Sequence, residues 1–169
     1  MITIFVKDTK HISQKFYNDI VHSLDIHKLV CTCGHCACFI HHGSYERTMK
    51  TSEDKIRLRV NRVKCIVCGC THAILISSII PYSQMTLEDQ TAIIDSYESK
   101  SGYDDILKSN FSIDENNIRS VILRYRKYWK SRILSYNILR YPLTSLVKQC
   151  FSIFERQFMQ IRSTLNLLF

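Results

Sequence analysis

Five of the eight cysteines in this 169-residue chain fall in two short groups. The first is Cys31-Thr32-Cys33-Gly34-His35-Cys36 and the second is Cys65-Ile66-Val67-Cys68-Gly69, with 28 residues between them. Two cysteine turns joined by a β-rich insert supply the four thiolates that one tetrahedral Zn²⁺ ion prefers. The spacing therefore predicts a small sheet closed by a metal, with zinc as the cofactor.

The second turn predicts Cys65 and Cys68 as ligands, because the glycine after Cys68 lets backbone amides turn towards the thiolates without a Cβ clash. A site made of four thiolates has no open coordination position. Its predicted role is therefore structural, and the metal would supply folding free energy rather than chemistry.

The first turn leaves the other two ligands open among Cys31, Cys33, Cys36 and Cys38. Cys33 and Cys36 have the more usual two-residue spacing. Cys31 and Cys33 form a shortened turn, but a glycine follows Cys33 as it follows Cys68. We favour Cys31 and Cys33 on that ground, with Cys36 as the alternative to one of them.

Three other interpretations compete for these residues. The cysteines could be ordinary free thiols, and a histidine among His35, His41, His42 and His72 could replace one thiolate. Cys33-Gly34-His35-Cys36 also matches the active dithiol of disulfide isomerases. That chemistry needs the first cysteine at a helix N-terminus, whereas this segment runs into a strand pattern at Phe39-Ile40.

Charge and composition favour an anionic partner. The formal net charge is +8 and the pI is about 9.1, with a basic excess in residues 1–80 and 114–169 and an acidic stretch between them. No run of 18 apolar residues and no secretory signal is present. We therefore expect a cytoplasmic, nucleoid-associated protein with reduced thiols and no membrane partner.

Periodicity predicts an α+β protein in which a small antiparallel sheet precedes helices. Residues 1–28 predict a strand at Ile2–Val6 and a helix at Gln14–Leu24, with Phe16, Ile20 and Leu24 as its apolar stripe. The predicted segments are an N-terminal strand and helix over 1–28, a zinc ribbon over 29–80, a helix-turn-helix region over 81–135 and a C-terminal helix over 136–169. In the ribbon we expect a strand at Phe39–Met49, broken at His42-Gly43, a strand from Lys55 and a strand at Ala73–Ile80.

The strand from Lys55 places basic side chains on one face and apolar ones on the other. No acid interrupts the basic series, so we predict that it contacts phosphates rather than only facing solvent. The alternation slips near Asn61-Arg62, which indicates a bulge or the end of the strand. The predicted contacts are Arg57, Arg59, Arg62 and Lys64.

The helical pattern of residues 81–135 resolves into a helix, a short helix, a turn and a longer basic helix over about Glu115–Ser135, which is the outline of a helix-turn-helix unit. The start of such a third helix meets base edges, and its later cations hold phosphates. The competing interpretation is a solvated helix face in a bundle. The predicted readers are Glu115, Asn116, Asn117, Arg119 and Ser120, and the predicted phosphate contacts include Arg124 and Lys127.

Several strings of the chain resemble a bacterial family of small standalone proteins that have a transposase-type zinc ribbon followed by a helix-turn-helix. They include Val30-Cys31-Thr32-Cys33-Gly34-His35, His42-Gly43-Ser44-Tyr45-Glu46-Arg47 and Arg62-Val63-Lys64-Cys65. More loosely, the chain is similar to the N-terminal, DNA-binding part of insertion-sequence transposases. The resemblance implies binding of double-stranded DNA, and the chain departs from it at Cys36 and Cys70.

We therefore expect a DNA-binding protein of transposase-like origin, with a structural zinc ion and no nuclease domain in this chain. We find no nucleophile elbow, no glycine-rich phosphate loop and no paired carboxylates, so we predict that it is not an enzyme. The alternatives are a zinc-ribbon adaptor for protein partners and an accessory subunit of a transposition complex. The C-terminal helix is a candidate homodimer contact.

Overall fold

Strands precede helices in the computed structural model, which describes residues 1–6, 12–110, 112–135 and Met159, without the side chains of 133 and 134. The predicted α+β class is confirmed. The predicted C-terminal helix, Cys150 and the dimer contact lie outside these residues. The elements are β1 Ile2–Ile4, α1 Gln14–Ser23, a 3₁₀ turn Ile26–Lys28, β2 Phe39–Lys50, β3 Lys55–Cys65, β4 Thr71–Ile76, α2 Leu87–Glu98, α3 Tyr103–Ser109, α4 Glu115–Arg124, a π-helical turn Tyr125–Lys130 and α5 Ser131–Ser135.

The four strands form one mixed sheet in the order β1-β4-β3-β2. β3 pairs antiparallel with the first half of β4, with Val63 opposite His72. β1 pairs parallel with the second half, with Thr3 opposite Leu75. The predicted ribbon is therefore extended by a parallel strand from the N-terminus, which bonds to β4 beyond the paired segment of β3.

Helix α1 fills the gap where β3 and β4 separate. Its N-cap Ser13 accepts a hydrogen bond from the Phe16 amide at 3.1 Å. The buried Tyr17 hydroxyl donates to the Ile74 carbonyl and accepts from the Asn61 amide, both at 2.9 Å. This hydroxyl thus replaces a missing strand–strand contact. The predicted stripe of Phe16, Ile20 and Leu24 is only half-buried, because Tyr17 and Val21 point into the core instead.

Two irregularities shape the hairpin of β2 and β3. The predicted break at His42-Gly43 is wrong, since β2 runs through it, with Gly43 at φ +71°. In β3, the alternation of buried and exposed residues shifts by one position near Asn61-Arg62, where the sequence pattern predicted a slip. Leu58 and Val60 are buried before this shift, and Val63 and Cys65 are buried after it. The strand stays continuous to Cys65. The basic side chains lie on its more exposed face both before and after the shift.

The chain divides into two compact units, one with residues 1–49 and 56–79 and one with residues 50–55 and the chain from Ile80. The second unit has a helical core to which α2, α3, α4 and the π-helical turn contribute. The predicted single helix over Glu115–Ser135 is interrupted by that turn, which buries Tyr125 and Trp129. Side chains in this core include Ile93, Ile94, Ile106, Ile118, Val121, Tyr125 and Trp129.

The hairpin turn is anchored within the second unit. The Ser52 amide donates to Asp89 Oδ1 at 2.9 Å, and Asp89 lies in the first turn of α2. Lys50 Nζ forms an ion pair with Asp114, the N-cap residue of α4. Lys50 also holds the pKa of the Asp114 carboxyl below its usual value. Among the described residues, no helix combines the length and apolarity needed to cross a membrane.

Replacing Tyr17 with Phe should lower the free energy of unfolding of the first unit by about 1–3 kcal/mol, because the Asn61 amide and the Ile74 carbonyl lose their buried partner. Hydrogen exchange measured by NMR should show faster exchange at the Asn61 amide. Tyr103→Phe, at a partly exposed ring in the second unit, serves as the control for losing a hydroxyl. Unchanged protection of Asn61 in Tyr17→Phe would contradict this role.

Candidate metal centre

Two turns of similar backbone design carry the cysteines. In the first, the Gly34 amide donates to the Cys31 carbonyl at 2.9 Å, and in the second the Gly69 amide donates to the Cys65 carbonyl at 2.9 Å. Both glycines have positive φ, +87° and +73°, where a side chain would be strained. The first turn is one residue shorter, yet its glycine still directly follows the second cysteine.

These turns bring four sulfur atoms together, those of Cys31, Cys33, Cys65 and Cys68, all within 4.8 Å of one another. The Sγ atoms of Cys31 and Cys68 are 3.6 Å apart, and those of Cys33 and Cys65 are 3.8 Å apart. A tetrahedral ion with metal–sulfur bonds of about 2.3 Å would separate its ligands by about 3.8 Å. The four cysteines are therefore close enough to hold a metal ion.

Hydrogen bonds from backbone amides lower the pKa of two of the four thiols. The Cys33 amide lowers the pKa of Cys31 to about 7, and the Cys68 amide lowers the pKa of Cys65 to about 6. The pKa of Cys68 is raised: its lowering by the Cys70 amide is outweighed by burial and neighbouring thiols. The pKa of Cys33 is also raised, since burial and the Cys31 thiol outweigh the His35 amide. Without a cation the group therefore favours partial ionisation.

Three further thiols near this group are not members of it. Cys38 is buried and donates to the His35 carbonyl at 3.2 Å, and burial raises its pKa to about 11. Cys36 and Cys70 are exposed. The Cys33-to-Cys36 segment that resembles an isomerase dithiol forms a turn and not a helix start, so the helix dipole that such chemistry uses is missing here.

Two histidines approach the sulfur atoms. His35 Nδ1 lies 3.5 Å from Cys33 Sγ at the surface. His72 is 5% exposed and its Nε2 lies 3.4 Å from Cys31 Sγ. His41 and His42 are exposed on β2. The sequence indicated His72 only as one of four histidines that could replace a thiolate. The signal that could have distinguished it is its position in β4, a strand that returns directly from the second cysteine turn.

The predicted phosphate contacts on β3 share one face. Arg57 and Arg59 are exposed, while Arg62 and Lys64 are half-buried. Arg59 Nε donates to Ser44 Oγ at 2.8 Å. Arg62 Nε is buried without a hydrogen-bond partner among the described residues. No acid in the described part of the chain pairs with these four cations.

The predicted base readers at the start of α4 differ in exposure. Asn116, Arg119 and Ser120 are exposed, whereas Asn117 is half-buried and its side-chain amide donates to Asp114 at 2.9 Å. Of the predicted phosphate contacts that follow, Arg124 is half-buried and Lys127 is exposed, with its ammonium 5.1 Å from the centre of the Tyr128 ring. Glu115, the remaining predicted reader, is exposed as well. The outward face of α4 and the π-helical turn thus carries Arg119, Arg126 and Lys127 beside Asn116 and Ser120, with the acidic Glu115 at its start and the apolar Leu123 among them.

Comparison with known proteins identifies one family. The family described as "Domain of unknown function (DUF6431)" matches residues 30–115, just over half of the chain. The chain belongs to this family. The matched region begins just before Cys31, contains all four clustered cysteines and ends at the first residue of α4, so the metal centre lies inside the family domain.

The other comparisons add no relatives. No curated protein matches the chain, and no solved structure matches it either. The resemblance to insertion-sequence transposases therefore stays a prediction, as do the absence of enzymatic activity and the cytoplasmic location.

Substitution of single cysteines should separate ligands from bystanders. Cys65→Ser should abolish binding of one metal ion per chain, because a closed four-thiolate site loses a ligand, whereas Cys36→Ser should leave the stoichiometry at one. Native mass spectrometry of protein purified with added Zn²⁺ measures both. Cys70→Ser is a second matched control, since it removes another exposed thiol. Loss of metal from Cys36→Ser with retention in Cys31→Ser would reverse the assignment of the first turn.

Metal binding should release protons in a pH-dependent number. At pH 8 the thiols of Cys31 and Cys65 are already ionised and those of Cys33 and Cys68 are not, so about two protons should be released per ion. Below the pKa values of about 7 and 6, these two thiols are protonated as well, and the number should rise towards about four while affinity falls. Calorimetry in buffers of different ionisation enthalpy measures the number. A constant number between pH 5 and pH 8 would contradict the prediction.

Proposed function

We propose that this chain is a DNA-binding module in which a structural zinc ion fixes the sheet, and cationic surfaces in each of the two units contact duplex DNA. Zinc is the metal favoured by four cysteine thiolates at tetrahedral separation.

The observation that carries the proposal is the two-sided character of α4. Ile118, Val121 and Ile122 are buried in the helical core, and the opposite side presents exposed polar and basic residues together with one exposed apolar side chain, Leu123. A helix with this division can enter the major groove while its apolar side holds it on the other helices. Asn can pair with adenine and Arg with guanine through two hydrogen bonds each, so Asn116 and Arg119 are the proposed readers.

The face of β3 supports the proposal independently, in the other unit. A solvated strand face needs polar side chains but has no need of a cation at each outward position. Arg57, Arg59, Arg62 and Lys64 form such a series, and no described acid neutralises it. We assign these side chains to phosphates, which fix the position of a protein on DNA without reading sequence.

The two surfaces should respond differently to substitution. Arg119→Ala should cost about 1–3 kcal/mol of binding free energy on a selected site, with a smaller loss on unrelated duplexes, because a base contact discriminates sequence. Replacing Arg57 and Arg59 together by Gln should weaken binding to all duplexes. It should also reduce the slope of log affinity against log salt by about 2, since two counterion-releasing contacts disappear. Fluorescence anisotropy with DNA obtained by unbiased selection measures both.

Lys28→Gln is the matched control, because its side chain is 85% exposed and lies outside both surfaces. It should change neither sequence preference nor salt slope beyond the effect of one net charge. Duplex binding that is unaffected by salt, or equal loss in Lys28→Gln and in Arg57→Gln/Arg59→Gln, would contradict the proposal.

A second candidate function, an adaptor for a protein partner, is favoured by apolar side chains at the cysteine turns. Ile66 and Val67 are 64% and 55% exposed between the two cysteines of the second turn, and Val30 is 59% exposed beside the first. Exposed aliphatic side chains of this kind occur at protein contact sites. Ile66→Ser with Val67→Ser would then abolish partner binding and leave the metal in place. In that case Arg119→Ala would have no effect on the partner.

A further inference from the structure

His72 is held rigidly behind the cysteine group. It lies in β4 opposite Val63, is 5% exposed, and its ring packs edge-on against Phe39 with 5.3 Å between the ring centres. Phe39 begins β2, directly after the first cysteine turn. A buried imidazole needs partners for both of its nitrogens. The partners of the two nitrogens therefore indicate which nitrogen carries the proton and to which atom it is donated.

The two ring nitrogens have different partners. Nδ1 lies 3.2 Å from the Met1 nitrogen, which is a donor, so Nδ1 accepts. The ring proton is therefore on Nε2, and Nε2 lies 3.4 Å from Cys31 Sγ. This distance fits an N–H···S hydrogen bond. Cys31 is the buried cysteine of the first turn.

We infer that His72 donates its Nε2 proton to the Cys31 sulfur and is a positioning residue of the metal centre, one that sets the affinity for the ion without binding it. The inference rests on the metal centre of the proposed function and does not depend on DNA binding. Four thiolates around a divalent cation leave a net charge of about −2, and donors from outside the ligand set stabilise such charge.

The same geometry argues against His72 as a ligand. The four cysteine sulfurs already stand at tetrahedral separation, so a fifth ligand has no place in a closed site. The sulfur of Cys31 lies 3.4 Å from His72, against 3.5 Å between Cys33 and His35, and it also accepts a hydrogen bond from the Cys33 amide. The imidazole thus completes the hydrogen bonding of a sulfur that water reaches poorly.

The test uses the full chain loaded with Co²⁺ in place of Zn²⁺, with His72→Leu and His72→Gln as the pair of variants. His72→Leu should bind one ion about 10–100-fold more weakly and shift the thiolate-to-cobalt charge-transfer bands. His72→Gln, which restores an N–H at the Nε2 position, should recover most of the affinity and the bands. His42→Leu, at an exposed histidine, should match the unmodified protein.

Nitrogen-15 NMR of the unmodified, zinc-loaded protein tests the inference without any variant. It should show His72 protonated at Nε2 and unprotonated at Nδ1. A metal-bound or unprotonated Nε2, or a His72→Leu variant with unchanged affinity and bands, would overturn the inference while leaving the metal centre intact. An unmodified protein that takes up no ion would overturn the metal centre and this inference together.

Discussion

The convergence of four sulfur atoms is the constraint on which the ribbon depends. The sequence supplies these sulfurs in pairs from turns that are far apart in the chain, and the side chains between and beside them, Val30, Ile66 and Val67, are exposed rather than packed. Burial of four thiols in one place disfavours the ionisation of all of them, and the pKa values of Cys33 and Cys68 are raised by burial and by the neighbouring thiols. A divalent cation would turn the same arrangement into a net attraction, so a bound metal would stabilise this end of the sheet.

Strand β3 runs from the hairpin turn to the cysteine group, and its geometry decides where its basic side chains lie. This strand ends at Cys65, and its change of burial phase three to four residues earlier decides which side chains face solvent. Without the phase change, Arg62 and Lys64 would point to the side of Leu58 and Val60. The turn at the other end of β3 is part of the helical unit, where Lys50 pairs with the N-cap residue of α4. Within the helical unit, the hairpin turn is therefore held at the N-terminal ends of α2 and α4.

Local chemistry in the sequence predicted much of this structure. The helix predicted from Gln14 begins there, because the hydroxyl of Ser13 accepts a hydrogen bond from an amide of its first turn. The preference for Cys31 and Cys33 over Cys36 followed from the glycine after Cys33, and those two sulfurs are the ones that lie beside Cys65 and Cys68. Both are local rules, since a cap or a turn involves residues within about five positions of each other.

Non-local packing explains what the sequence did not predict. The core-facing side of α1 is set by Tyr17, whose hydroxyl fits a gap between two strands that periodicity cannot reveal. The strand continues through Gly43 because its neighbour β3 keeps it in the sheet, although glycine alone favours a break. The approach of His72 to Cys31 depends on the return of β4 beside β3, a contact between residues 41 positions apart.

The distribution of cations matters more for function than the net charge of +8. Lys130 is engaged by Glu98 at 2.7 Å, and Lys50 by Asp114, so both hold helices in place. Arg132 lies over the Trp129 ring, 5.8 Å from its centre. Arg57 and Arg119 form no ion pair with a described residue and face solvent. An unpaired surface cation binds an anion without first breaking an internal ion pair, so Arg57 and Arg119 are better placed for an anionic partner than Lys50 and Lys130.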